Sequence, residues 1–197
     1  MIKRVFDIFF SFIGILFFLP VYVIIAILIK LDSKGDVFYR QERIGKNGFP
    51  FNVFKFRTMI PEAFSKGTLT VGSRDPRVTR VGYYLRKYKL DELPQLFNVI
   101  LGDMSFVGPR PEIKKYTDLY TKEQRKILSI KPGITDYASI KFRNENDILA
   151  SSDNPEKLYV EKIMSQKIEL NMIYINDNHV FKDVQIILQT FYTIINH

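Results

Sequence analysis

Residues 89–98 read KLDELPQLFN, with two carboxylates, Asp91 and Glu92, side by side and Pro94 two positions on. Adjacent acids repel one another, and neighbours on a regular helix point in different directions, so the pair requires solvent or compensating charge. Oxygen donors of this kind suit a hard divalent cation. Shortly downstream, GDMSFVGPRPE sets Arg110 between Pro109 and Pro111, which limits the backbone freedom of a side chain suited to bidentate phosphate contact. Lys55, Arg57, Arg74, Arg77 and Arg80 lie upstream. Acids and cations therefore converge in this part of the chain. The simpler reading of Asp91 by itself is an N-cap for the helix that follows, with Glu92 complementing the helix dipole.

The elements that must position these groups follow from the rest of the chain. A length of 197 residues suits one well-buried domain. The absence of Cys excludes a disulfide framework and thiolate chemistry, and two His, at 179 and 197, argue against a histidine-rich metal site. The net charge is +8, and residues 40 to 90 hold 12 Lys or Arg against Glu42, Glu62 and Asp75. Positive charge is thus concentrated just upstream of the acid pair, where it suits a phosphorylated small molecule or anionic lipid. The apolar N-terminus argues against a nucleic-acid partner.

From Val5 to Leu31 the chain is almost continuously apolar, with Asp7 and Lys30 as its only charges. The run is too long for a signal peptide and lacks its small-residue cleavage pattern. A spanning anchor is permitted by length. Two features favour a re-entrant helix broken at Pro20. Proline deletes a helical hydrogen bond and clashes with the preceding turn, and basic residues flank both ends, Lys3 and Arg4 before and Lys30, Lys34, Arg40 and Arg43 after. Asp7 is spaced to pair with Lys3 or Arg4.

Beyond residue 34, VFYRQERIGKNGFPFNVFKFRTM predicts a β-hairpin turning at KNG, and GSRDPRVTRVGYYLRKYKLDELPQLFNVILG a loop leading into helix. Leu93, Leu96, Phe97 and Ile100 fall at helical spacing and predict a core face. Asp153, Asn154 and Pro155 signal the start of a helix over about 156–175. The apolar face from Asp183 onward predicts a helix that packs on the domain or lies in the membrane interface. The fold class expected is α+β, with a re-entrant membrane helix over 1–34 and a mostly helical domain over 35–197 that carries a short antiparallel hairpin and interfacial amphipathic helices.

In their order and spacing, the basic-apolar segment with its central proline, YRQERIG, KFRTM, RVGYYLRKYKLDELPQLFNVILGDMSFVGPRPE and KPGIT resemble a small monotopic phosphoglycosyl transferase of the bacterial sugar transferase family. The resemblance covers the chain to about residue 145. It implies transfer of a sugar phosphate from a UDP-sugar onto undecaprenyl phosphate with release of UMP, at the cytoplasmic face of the bacterial inner membrane and among its phospholipids. It also implies Mg2+, with Asp91 as nucleophile and metal ligand and Glu92 as its partner. Phosphate and nucleotide contacts are expected from Lys55, Arg57, Arg143 and Arg110 with its flanking Pro109 and Pro111. Leu19 stands where similar proteins often carry Ser before the helix-breaking proline. The carried sugar and the oligomeric state stay open, a homodimer being compatible. The competing class is a catalytically silent membrane adaptor whose basic face binds anionic lipid; release of UMP from UDP-sugars separates the two.

Overall fold

The structure, a computed structural model, describes residues 2–61 and 75–195. Arg74, part of the upstream basic run, lies outside them. Helix α1 (Ile2–Asp32) leads into a hairpin of β1 (Phe38–Ile44) and β2 (Pro50–Phe56). The hairpin pairs antiparallel from Phe38 with Phe56 to Ile44 with Pro50. It turns through KNG as expected, and Asn47 (φ 58°) and Gly48 (φ 81°) take the left-handed conformations such a turn requires. Helix α2 (Arg80–Lys87), a 3-10 turn (Leu90–Glu92) and helix α3 (Gln95–Leu101) carry the central motif.

A second sheet, not expected from the sequence, pairs β3 (Ser105–Val107) in parallel with β4 (Gly133–Thr135). Three-residue strands give too short a pattern to read. Their close approach depends on Gly108 and Gly133, because a Cβ on Gly133 would collide with the Gly108 backbone and one on Gly108 with Lys131 O. The C-terminal half is helical: α4 (Lys114–Thr117), α5 (Tyr137–Lys141), α6 (Glu145–Ala150), α7 (Pro155–Leu158), a π turn (Tyr159–Ile163), α8 (Met164–Asn176) and α9 (Val180–Ile195). Asn154 caps α7 as predicted, accepting from Lys157 N at 3.0 Å, with Pro155 in the first turn.

Helix α1 runs unbroken in secondary structure through Pro20 for 31 residues. As a straight rod it would extend roughly 46 Å, longer than a bilayer's hydrocarbon core. Both of its ends are nevertheless tied to the same body. Near its start, Arg4 donates to Val99 O (2.5 Å) and Ile100 O (2.8 Å), satisfying carbonyls at the end of α3, and Asp7 accepts from Ser105 Oγ (3.1 Å) and Phe106 N (3.2 Å). Asp7 thus serves the β3 backbone, and its buried charge costs less because two donors meet it. Near the other end, Tyr22 donates to Leu93 O at 2.7 Å and Asp32 accepts from Val81 N at 2.9 Å. Tyr22, Ile25 and Ile29 pack with Phe56 and Leu85, whereas Phe9, Phe12, Leu16, Phe17, Ile24 and Ile27 remain exposed. One stripe of α1 is a core stripe and the rest is bare hydrocarbon.

Arg57 closes the end of α1. Its guanidinium donates to Lys34 O (2.6 Å), Ser33 O (2.7 Å) and Ser33 Oγ (3.0 Å). It reaches them over Gly35, whose φ of +118° favours glycine and whose missing Cβ leaves the room Arg57 occupies. We therefore expect Arg57→Ala to lower stability by about 1–3 kcal/mol, the range for lost hydrogen bonds at a partly buried group. Thermal unfolding measures it.

Candidate functional site

Three elements bring the acid pair into a cavity of about 950 Å³ that opens beneath α1. The turn of residues 90–92 comes first. Lys89 adopts φ 57°, uncommon for a residue with a side chain, and this left-handed step redirects the chain after α2. Asp91 consequently faces inward from a 3-10 turn and is only 7% exposed. The N-cap expectation for Asp91 is thereby corrected: α3 starts at Gln95, with Pro94, three residues after Asp91, at its N-cap position and no side-chain cap. The proline sets the first-turn geometry that Asp91 was expected to provide. Buried positions on α3 are Gln95, Leu96, Asn98 and Val99, while Phe97, expected in the core, is partly exposed because the helix face is rotated to seat Asn98.

Asn98 supplies the second placement. It is fully buried, donates to Asn52 O (2.7 Å) and accepts from Phe54 N (2.9 Å), so a side chain stands in for a strand partner on the open edge of β2. This fixes β2 against α3 and sets Lys55 2.9 Å from Glu92 Oε1. The loop holding Arg110 is the third. Pro109 O accepts from Gly133 N (3.1 Å), and Asp136 accepts from Arg110 N (3.1 Å) and Ser139 N (2.6 Å). Held this way, Arg110 donates through both Nη atoms to the two oxygens of Glu92, with Nη1 to Oε2 at 3.1 Å.

The two carboxylates therefore live in opposite environments. Burial by itself would raise Glu92, but the Arg110 guanidinium and Lys55 ammonium outweigh it and hold its carboxyl well below the usual range. Asp91 is pushed up, first by burial and then by the Glu92 charge. Its Oδ1 is buried without a hydrogen-bond partner among the described residues. An orphan buried acceptor is costly, and this one belongs to a residue that lines the cavity together with Lys55, Arg86 and Arg110. Glu92 has its charge compensated by protein, whereas Asp91 Oδ1 has no such partner among the described residues.

Other expected contacts are placed differently. Arg57 and Arg143 both line the cavity, but Arg57 closes α1 and Arg143 Nη2 donates to Ile194 O at the end of α9 (3.4 Å). Pro109 is buried behind Arg110, and Pro111 O accepts from Arg43 Nη1 at 3.2 Å. Both prolines position rather than face the cavity's acids. Arg77, from the upstream run, closes on Asp75 at 2.6 Å.

Several groups at the cavity escaped sequence reading. Arg86, on α2, donates to Thr58 Oγ1 at 2.9 Å and lies within the field of Asp91. At the far wall, Glu112 pairs with Arg43 (3.5 Å) and accepts from Tyr159 OH and Lys167 Nζ, and Lys167 also reaches Glu145 at 3.0 Å. The π turn aligns this cluster. Tyr159 and Lys167 are eight residues apart, which would offset them by about 80° around a regular helix. One π turn adds about one residue to the first turn, so eight residues complete roughly two turns and the side chains stack. No sequence pattern marks partners 47 and 55 positions apart. We expect Lys167→Met to cost about 3 kcal/mol by stranding Glu145 and leaving Glu112 with only Arg43 and Tyr159, and Lys167→Met/Glu145→Gln to recover part of it, as read by denaturant unfolding.

The site is thus a cavity lined by cations, with one ion-paired and one unpartnered carboxylate, and with apolar side chains of α1 along it. A family model for bacterial sugar transferases matches residues 1–197, and the chain belongs to that family. It is 37% identical over 199 residues to the UDP-N-acetylgalactosamine-undecaprenyl-phosphate N-acetylgalactosaminephosphotransferase of Aeromonas hydrophila, covering 98% of this chain and 44% of that protein. It is 38% identical over 194 residues to the UDP-glucose:undecaprenyl-phosphate glucose-1-phosphate transferase of Escherichia coli, covering 96% and 39% respectively. It is also 41% identical over 160 residues to the exopolysaccharide production protein ExoY of Rhizobium meliloti, covering 74% and 71%. The chain thus spans under half the length of the first two relatives.

Proposed function

We propose that this protein transfers a sugar 1-phosphate from a UDP-sugar to undecaprenyl phosphate, releasing UMP, as the first membrane step of a glycoconjugate pathway. The observation that carries this reading is that Asp91, its buried Oδ1 unpartnered among the described residues, lines a cavity with Lys55, Arg86 and Arg110 beside an ion-paired Glu92. The names of the relatives support the substrate pair.

In the proposed reaction an Asp91 carboxylate oxygen attacks the sugar-bearing phosphorus. The new O–P bond forms as the bridging P–O bond breaks, and UMP leaves with that electron pair. The lipid phosphate then attacks the same phosphorus, breaking the Asp91–phosphorus bond and restoring the carboxylate. Two displacements replace one difficult step. Arg110, Lys55 and Arg86 offset the anionic charge of donor and acceptor. Glu92, already ionised by its partners, keeps a negative charge beside Asp91 and so sharpens its affinity for a proton or a cation. Among the described residues no three potential ligands cluster, yet Mg2+ requires only one or two carboxylates when phosphates complete its shell, and Asp91 fits that role. Bound there, it would neutralise phosphate charge.

Asp91's raised pKa has two testable signs. Its carboxylate form is lost at a higher pH than that of an exposed aspartate, so adduct formation should decline as pH falls through that raised midpoint. Cation binding must displace the same proton, so titration of Mg2+ by calorimetry in buffers of differing ionisation enthalpy should show proton release at a pH near the raised midpoint, absent in Asp91→Asn. No release at any pH would remove Asp91 as the ligand.

We also read α1 as monotopic, with the catalytic body at the cytoplasmic face, because polar ties bind both of its ends to that body. The native chain has no Cys, so single cysteines at Ile2 and Asp36, both exposed, should be labelled by an impermeant reagent from the same side of a vesicle. Labelling from opposite sides would establish a spanning helix. The reaction itself is tested by incubating the detergent-solubilised protein with UDP-sugars, Mg2+ and undecaprenyl phosphate: UMP release with one or more sugars is expected, and none with any sugar sinks the assignment.

A further inference from the structure

The cavity that holds Asp91 has a second half of opposite character. There it is lined by Phe10 and Phe17 of α1 and by Ile187, Leu188, Phe191 and Ile194 of α9, with Arg143 at the edge against Ile194 O. We propose that this slot between α1 and α9 holds the hydrocarbon chain of the polyprenyl phosphate acceptor; the proposal rests on the reaction assigned above and adds where the lipid lies.

Three observations support it. The two halves form one continuous cavity, so a ligand that fits both must carry an anionic head on an apolar tail. A sugar nucleotide has no hydrocarbon to match the α9 wall, and a lipid phosphate does. Second, α9 is a built wall rather than a loose terminal helix. Asp183, fully buried in its first turn, accepts from Lys3 Nζ (2.5 Å) and Tyr174 OH (2.5 Å), which ties α9 to the start of α1. Thr190 meets Thr135 of β4 at 2.7 Å, and Arg143 holds the last turn. Third, Leu188 and Phe191 are 63% and 57% exposed although they face the cavity, so their burial awaits an apolar occupant. Phe181, on the same helix and 85% exposed, does not line it and serves as the control.

The chain contains no Trp, so Phe191→Trp and Phe181→Trp each introduce a single reporter. Undecaprenyl phosphate titrated into the Phe191→Trp protein in nanodiscs should produce a saturable blue shift. Phosphatidylglycerol at equal charge should not, and the Phe181→Trp protein should respond to neither. In parallel, Leu188→Gln should raise KM for undecaprenyl phosphate by about tenfold, the order expected for a lost buried apolar side chain, with a smaller change for a ten-carbon prenyl phosphate. Equal responses of both reporters to both lipids, or a Leu188→Gln effect independent of chain length, would overturn the proposal and leave α9 as a membrane-surface helix. The fluorescence arm needs no turnover, so saturable binding without UMP release would refute the reaction while locating the lipid.

Discussion

Asp91→Asn is expected to abolish both UMP release and any covalent phosphosugar adduct, a fall of at least about 10³-fold, because the amide retains the shape of the side chain but cannot act as the nucleophile. The prediction is sharp because the variant should not unfold. Asp91 is buried, leaves one oxygen without a partner and sits beside the Glu92 charge, so neutralising it relieves desolvation and repulsion. Its thermal midpoint should match or exceed that of the native protein. The sign follows from proton linkage. A group with a raised folded-state pKa opposes folding once ionised, and its contribution improves as pH falls through that pKa. Inactivity combined with retained or increased stability identifies a residue kept for chemistry. Mass spectrometry of protein quenched with UDP-sugar checks the adduct, and full activity in the variant would reject the nucleophilic role.

Arg110→Ala should lower turnover by about 10²–10³-fold and destabilise the fold by roughly 3 kcal/mol, toward the lower end for a broken buried ion pair because Arg110 is partly exposed. Both effects come from Glu92. Its side chain is 11% exposed, and Arg110 is its bidentate partner; Lys55 by itself cannot satisfy both oxygens. Removing the guanidinium strands a charge next to Asp91, the proposed nucleophile, and raises the Glu92 pKa. Since Glu92 is held low in the native protein, its stabilisation is present above the unfolded value of about 4.3 and lost as pH falls through the lower folded value. The stability gap between native and Arg110→Ala protein should therefore be widest near neutral pH and narrow in acid, as read by denaturant unfolding across pH. Arg110→Lys keeps charge but not the planar fork and should fall between them. A gap independent of pH would show that Arg110 acts through packing alone.

The local features of the site were legible because their causes are local. KNG carries its turn chemistry within three residues, Asn154-Pro155 carries its cap, and Pro109 and Pro111 restrict Arg110 wherever the loop lies. The length and bare hydrocarbon of residues 5 to 31 announce a membrane segment without reference to any other element. Arg57 shows the limit. From its neighbours it reads as one more cation near a phosphate site, and only the return of the chain past Ser33 and Lys34 turns it into a helix cap.

The sequence by itself determined which groups this protein can use: an adjacent acid pair, a proline-braced arginine, an apolar N-terminal helix with cations at both ends, and no thiol. Only the tertiary structure decided that Glu92 is the compensated acid and Asp91 the free one, since the assignment depends on Lys55 arriving from β2 and Arg110 from beyond β3. It likewise placed α9 opposite α1 through a Lys3–Asp183 pair 180 residues apart. The physical reason is that burial and Coulomb fields depend on distance in space. Two neighbouring carboxylates that are chemically almost equivalent along the chain become opposites once different elements fold against each.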